Sequence, residues 1–148
     1  MIHRVACVIF LGVLLVSVSV AKADSKKEKA AISEALKWLT EIDQGKYAAS
    51  WNDAAEYFKN AVKKAQWVQS LEAVRKPLGN LISRETKIAI YKTSLPGAPD
   101  GQYVVIQFQT SFENKQSAIE TVTPCWTKTE TGGCRAIILN EAPNFFCT

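Results

Sequence analysis

Asp53 and Tyr57 stand four residues apart in a stretch of helical periodicity, a spacing that places both on one helix face. A desolvated carboxylate beside a phenol is a workable base and hydrogen-bond donor for proton abstraction next to a carbonyl. No recognisable catalytic motif surrounds them, and an acid near a helix start also complements the helix dipole with no further role. Arg75 and Arg84 bracket the Pro77-Leu78-Gly79 turn, and Glu120 follows much later. Either arginine can grip an anionic ligand through two parallel hydrogen bonds, although a structural salt bridge or a surface guanidinium is the plainer expectation. Trp38, Trp51, Trp67, Tyr47, Tyr57 and Phe58 crowd the same half of the chain. They suit an apolar ligand pocket, yet aromatics at helical spacing more often form a core. The candidate ligand contacts are therefore Trp51, Tyr57, Trp67 and Arg75, with no catalytic residue assigned.

What is missing narrows the chemistry. The single histidine, His3, lies at the extreme N-terminus. The segment it occupies reads as an export leader: His3 and Arg4 give a short basic start, and Val5 to Val20 is apolar apart from Gly12, Ser17 and Ser19. Ala21-Lys22-Ala23 then offers small residues where a signal peptidase reads them, with cleavage expected between Ala23 and Asp24. An uncleaved anchor is the rival, but a span needs about 20 apolar residues and this run is shorter. Export implies the periplasm or secretion, with membrane contact only through an uncleaved leader. Removing residues 1–23 leaves 125 of the 148 residues, enough for one domain with its own core. That domain has no histidine, which excludes histidine triads, Cys–His pairs and His-ligated metals. Neither metal nor cofactor is expected. Its net charge drops from +4 to +2, too little for a nucleic-acid footprint.

Hydrophobic spacing then gives the elements that must position these side chains. Ile32, Ala35, Leu36, Leu39 and Ile42 form one stripe of a helix running to about Asp43, with Gly45 supplying a left-handed terminus. A second helical stretch begins near Tyr47, with Trp51, Ala54, Ala55, Phe58, Ala61 and Val62 on one side. Trp67, Val68, Leu71 and Val74 continue it until Pro77, while Lys59, Lys63 and Lys64 read as a solvated face. From Leu81 the period becomes two. Thr86, Ile88 and Ile90 alternate with Lys87, Ala89 and Tyr91 as in a half-buried strand. A Pro- and Gly-rich turn spans 94–101, a second strand runs to about Phe112, Asn114-Lys115 turns, and Ala118 to Thr123 forms a third strand. Helices first and an antiparallel meander afterwards predict an α+β domain with the helices on one sheet face.

Trp38-Leu39, Gly45-Lys46-Tyr47, Ser50-Trp51, Trp67, Arg75 with Pro77-Leu78-Gly79, the run Leu95 to Val105 and Glu120-Thr121-Val122-Thr123 together resemble DUF4019, a family of exported bacterial domains without assigned biochemistry. The resemblance covers about Ala30 to Pro124. It implies an α+β fold similar to the NTF2-like or cystatin-like cone, in which helices cover a curved antiparallel sheet. It carries no catalytic residues.

The resemblance also implies a closing hairpin and a strand similar to G-x-W-R-V-x-G-Y after Thr123, which the chain does not supply. Permitted codons for Pro124 to Asn140, read from the last base of the proline codon, spell M-L-D-K-D-G-N-W-R-V-S-G-Y-Y-I-K and then a stop. We read 125–148 as the product of a lost base at the Pro124 codon, so that Cys125, Cys134 and Cys147 form no disulfide framework. Taken literally, three exported cysteines allow one bridge, with Cys125 and Cys134 flanking a hairpin. The expected organisation is a leader over 1–23, a domain over 24–124 and an aberrant segment over 125–148. The expected function is that of a non-catalytic envelope domain that binds a small apolar ligand or an envelope protein through a helix–sheet cleft. The alternatives are an NTF2-like pocket enzyme using Asp53 and Tyr57, or a structural accessory without a ligand.

Overall fold

The computed structural model describes the backbone of residues 19–126 and 134–137, and the side chains of residues 25–126. Four helices, α1 (Ser19–Asp43), α2 (Tyr47–Asp53), α3 (Glu56–Ala61) and α4 (Lys64–Leu78), precede β1 (Leu81–Lys92), β2 (Gln102–Phe112), β3 (Lys115–Trp126) and β4 (Cys134–Ile137). The strands pair in chain order as one antiparallel four-stranded sheet, with β1 and β4 at its edges. The helices pack on one face. This is the α+β arrangement expected from the pattern.

The buried face of α1 is Ala31, Ala35, Trp38, Leu39 and Ile42. Leu36 is exposed and Trp38 buried, because the buried stripe is centred near Ala35 and Ile42 and so is turned toward Trp38 and away from Leu36. Gly45 ends α1 at φ +71°, as its position predicts; its N–H donates to Ile42 O and the Lys46 N–H to Glu41 O. The second helical stretch is not continuous. Ala54 and Ala55 are extended and fully buried, and Val62 and Lys63 are extended again, so three short helices replace one. Small side chains at 54 and 55 let the backbone itself lie against the core. Pro77 sits within the last turn of α4 rather than stopping it, and Gly79 ends the helix at φ +72°, ψ −162°, a region essentially reserved for glycine.

One core runs from the helices to the sheet: Trp38, Ile42, Phe58, Trp67 and Leu71 meet Val104, Ile106, Phe108 and Val122. In β2 the alternation holds without exception from Val104 to Phe112. In β1 the expected alternation, which groups Thr86 with Ile88 and Ile90, is broken by a bulge. Arg84 lies opposite Thr110 and Thr86 opposite Phe108, but Lys87 is an extra residue, after which Ala89 lies opposite Ile106 and Tyr91 opposite Val104. The bulge shifts parity by one, so Ala89 and Tyr91 join the core face. Ile88 and Ile90 turn outward, 41% and 45% exposed. The 94–101 turn forms as predicted, with Gly97 at φ +74° and the Gly101 N–H donating to Thr93 O.

Candidate functional site

Ser50, on α2, organises the tryptophans. Its hydroxyl donates to Tyr47 O at 2.9 Å and accepts the Trp67 indole N–H at 3.0 Å. Its carbonyl accepts the Trp38 indole N–H at 2.8 Å. The Trp51 indole N–H donates to Val62 O at 2.8 Å. An indole has one donor, so each of these three is satisfied internally. Trp38 stacks on Trp67 with centroids 5.9 Å apart, and Phe58 meets Trp67 edge-on at 5.2 Å. Trp67 is therefore a pillar of the core, whereas Trp51 is half-buried, with the Lys59 and Lys64 ammonium groups about its ring.

The structure separates the other sequence candidates. Asp53 is the last residue of α2 and Tyr57 lies in α3, so the break at 54–55 removes the single helix face that their spacing suggested. Tyr57 is 39% exposed, and its hydroxyl donates to Gly97 O, tying α3 to the 94–101 turn. Asp53 has a different neighbour. Burial first, and then the Asp53 carboxyl beside it, push the Glu41 carboxyl above the ordinary range, with Lys46 pulling it partly back. Glu41 Oε2 is shielded from solvent and accepts from no described donor. This carboxyl pair was not legible in the sequence, because Glu41 and Asp53 lie on separate helices.

The main charged constellation joins both arginines. The side chains of Arg75, Arg84 and Glu120 are 6%, 5% and 4% exposed. Arg75 Nη2 donates to Glu120 Oε1 at 2.7 Å, and Arg84 donates through Nε to Oε2 at 2.6 Å and through Nη2 to Oε1 at 3.2 Å. Thr110 Oγ1 adds a fourth bond to Glu120, at 2.6 Å. Arg84 also grips Asp43 with both Nη atoms, at 2.7 and 3.0 Å, and Arg75 Nη1 lies 3.5 Å from the same carboxylate. Burial alone would raise the Glu120 carboxyl, but Arg84, Arg75 and the Thr110 hydroxyl outweigh it and hold the group below the usual carboxylate range. Burial opposes the Arg84 charge, and its bonds to Asp43 and Glu120 override that and raise it further. Two cations and two anions thus neutralise one another across α1, α4, β1 and β3.

Arg75 was a candidate ligand clamp; the structure finds it in a structural ion pair, with its guanidinium 5.1 Å from the Phe112 ring centre. One signal for this cluster was present. Glu120 alternates with Ala118 and Val122 on the inward face of β3, and an acid on such a face requires a partner.

A second clasp holds the far end of the sheet. Glu113 accepts the Asn80 backbone N–H at 2.8 Å and its side-chain amide at 3.0 Å, while Asn114 donates to Leu78 O and Pro77 O. The Asn80 backbone and side-chain donors together hold the Glu113 carboxyl below its ordinary range. A Cβ at Gly79 would stand 2.7 Å from Glu113 Oε2, so glycine is required there by space as well as by φ.

Ala23 and Asp24 fall in the helical backbone of α1, their side chains outside the described residues, and no described helix is long and apolar enough to cross a membrane. Cys125 is a free, buried thiol that burial pushes up to about 11. It lies opposite Arg135, while Cys134 lies opposite Trp126. Cys147 lies outside the described residues. Among the described residues no cluster of three or more His, Cys, Asp or Glu is arranged to hold a metal ion.

Comparison with curated proteins and with solved structures finds no match. The family comparison matches DUF4019, a protein of unknown function, over residues 34–132, which includes the Ser50 hub, both arginines, the 94–101 turn and Glu120. On that match, which spans two thirds of its length, the chain belongs to the DUF4019 family.

Proposed function

We propose that this is an exported, non-catalytic domain that acts by binding another protein through its sheet. The supporting observation is where its reactive and apolar groups lie. The two arginines meet the buried Glu120 carboxylate and Asp43 within the fold, and the indole donors meet backbone or Ser50 oxygens. Among the described residues the exposed large aliphatic side chains concentrate instead on β1, with Ile82 65% exposed at the irregularity near its start and Ile88 and Ile90 exposed further along the strand. Exposed apolar residues gathered on one element mark contact surfaces. Export rests on the leader pattern of residues 1–23, and the 125–148 segment is taken as a frame-altered end.

Three measurements test this reading. Fractionation of the native host should find the protein outside the cytoplasm, with Ala23 removed. A photo-crosslinking amino acid at position 88 should give a discrete protein adduct, and the same probe at exposed Glu72 should not. A small organic molecule co-purifying stoichiometrically, without any adduct from position 88, overturns the reading in favour of ligand binding. Resequencing the gene across the Pro124 codon tests the altered frame, which an in-frame read in independent isolates would exclude.

A further inference from the structure

Among the described residues β1 is an edge strand of 12 residues, and an unpaired edge is a template for another strand. The Tyr91 backbone N–H donates to Glu28 Oε1 at 3.4 Å, so this amide lies on the side of β1 away from β2. Alternation, with the Lys87 bulge counted, puts the backbone groups of Arg84, Thr86, Ala89 and Tyr91 on that same open edge. Among the described residues Glu28 meets the Tyr91 position, and its carboxylate must release that amide for a partner strand to pair there. The bulge and the lysines at 87 and 92 blunt this edge against indiscriminate pairing. Neither device blocks a partner whose charges answer them.

We propose that the partner is a second copy of this chain, its β1 paired antiparallel with the first about a twofold axis at Ala89. This rests on the protein-binding reading above and names the partner. The strand is self-complementary in that register, the one twofold arrangement in which Glu85 meets the partner's Lys92. Ala89 meets Ala89 of the partner subunit on the axis, and Ile88 meets the partner's Ile90 on the outer face. With Lys87 bulged out, Thr86 meets the partner's Tyr91, and Glu85 meets the partner's Lys92. Every pair places like faces together, and the twofold repeats each one. The exposed isoleucines form a four-residue cluster on the outer face, and each end carries an opposite-charge pair, the cross-strand combinations that stabilise a sheet. A shift by one residue would set Ile88 opposite a core-facing residue, which the alternation of the strand forbids. The two four-stranded sheets become one continuous sheet.

Sedimentation of the full chain, in the processed form that the expressing host yields, should show a monomer–dimer equilibrium at micromolar concentration. Glu85→Lys or Lys92→Glu alone should weaken the dimer at least tenfold, by opposing like charges, and the Glu85→Lys/Lys92→Glu double variant should restore it to within threefold. Ile88 and the partner's Ile90 form a non-hydrogen-bonded pair, for which Cα atoms lie about 4.5 Å apart, within disulfide reach. An oxidised mixture of Ile88→Cys and Ile90→Cys chains should therefore yield a mixed disulfide, mapped by peptide mass spectrometry, in excess of either chain alone. A wild-type chain that stays monomeric throughout overturns the proposal, as does a dimer that the charge reversal fails to restore. If a different protein is captured from position 88 while the chain remains monomeric, the self-pairing fails and the protein-binding reading survives. Failure of both experiments removes the two together.

Discussion

Replacing Glu120 with Gln should be among the most damaging conservative changes in this protein. The carboxylate accepts four hydrogen bonds, from Arg75, Arg84 twice and Thr110, at 2.6 to 3.2 Å. Its amide isostere keeps the shape and loses the charge. Two guanidinium groups with side chains only 6% and 5% exposed would then lose the buried anion between them and share Asp43. Removing one partner from a buried ion pair typically costs about 3–5 kcal/mol, against a total near 5–15 kcal/mol for a domain of this size. At roughly 4 °C per kcal/mol, Tm should fall by about 12–20 °C. Urea unfolding followed by circular dichroism at pH 7 measures the loss directly.

The pH dependence supplies an independent readout. The folded protein holds Glu120 below its ordinary value of 4.5, so the unfolded chain takes up the proton first as pH falls. Its stabilisation is fully present above about pH 4.5 and disappears as pH drops through the folded value. The gap between wild type and Glu120→Gln should therefore close in acid. A Glu120→Gln protein within about 1 kcal/mol of wild type at pH 7, or a gap unchanged at the lowest pH where both fold, would refute the ion-pair account.

Glu41 should behave oppositely. Its folded pKa is raised by burial and Asp53, so its ionisation opposes folding as pH rises through the unfolded and then the folded value. Glu41→Gln should stabilise the protein at pH 7 by about 0.2–1 kcal/mol, with little effect near pH 3; equal effects at both pH values would dismiss the carboxyl pair. Gly79→Ala should cost about 1–3 kcal/mol plus part of the Glu113 clasp, whereas Gly45→Ala, with nothing within 4 Å of its Cβ, should cost only about 1–2 kcal/mol. Matching losses in thermal denaturation would show that the clasp adds nothing. Deleting Lys87 should either pull Arg84 from Glu120 and Asp43 or force Ile88 and Ile90 into space shaped for Ala89 and Tyr91. We expect at least 2–4 kcal/mol of destabilisation; a loss under 0.5 kcal/mol in urea would contradict the β1 register.

Periodicity made most of the architecture readable, and its failures have local causes. The α1 stripe and the β2 alternation survive because each element buries one face against one layer. The three short helices did not separate in the sequence, because Ala54 and Ala55 suit a helix interior as well as the buried extended link they form. The sequence pattern groups Thr86 with Ile88 and Ile90 on one face because alternation alone cannot register an inserted residue. The ion cluster was half legible: Arg75, Arg84 and Glu120 were each noticed, but their meeting depends on four elements converging, and Thr110 had no distinguishing feature beyond its parity.

The bulge at Lys87 links the buried charge to the exposed apolar surface. Before it, β1 must present Arg84 to the core so that the guanidinium meets Glu120 and Asp43. After it, β1 presents Ala89 and Tyr91, which face Ile106 and Val104, with Tyr91 also held by Lys27 and Glu28 of α1. A regular strand cannot satisfy both requirements, since residues 84 and 89 have opposite parity. One inserted residue reconciles them, and the same parity change turns two isoleucines toward solvent beside the edge that β1 forms among the described residues. Buried electrostatics and the proposed dimer contact therefore depend on one backbone irregularity. A variant that restored regular alternation would disturb both at once, whereas the Glu85 and Lys92 reversals should disturb the contact alone.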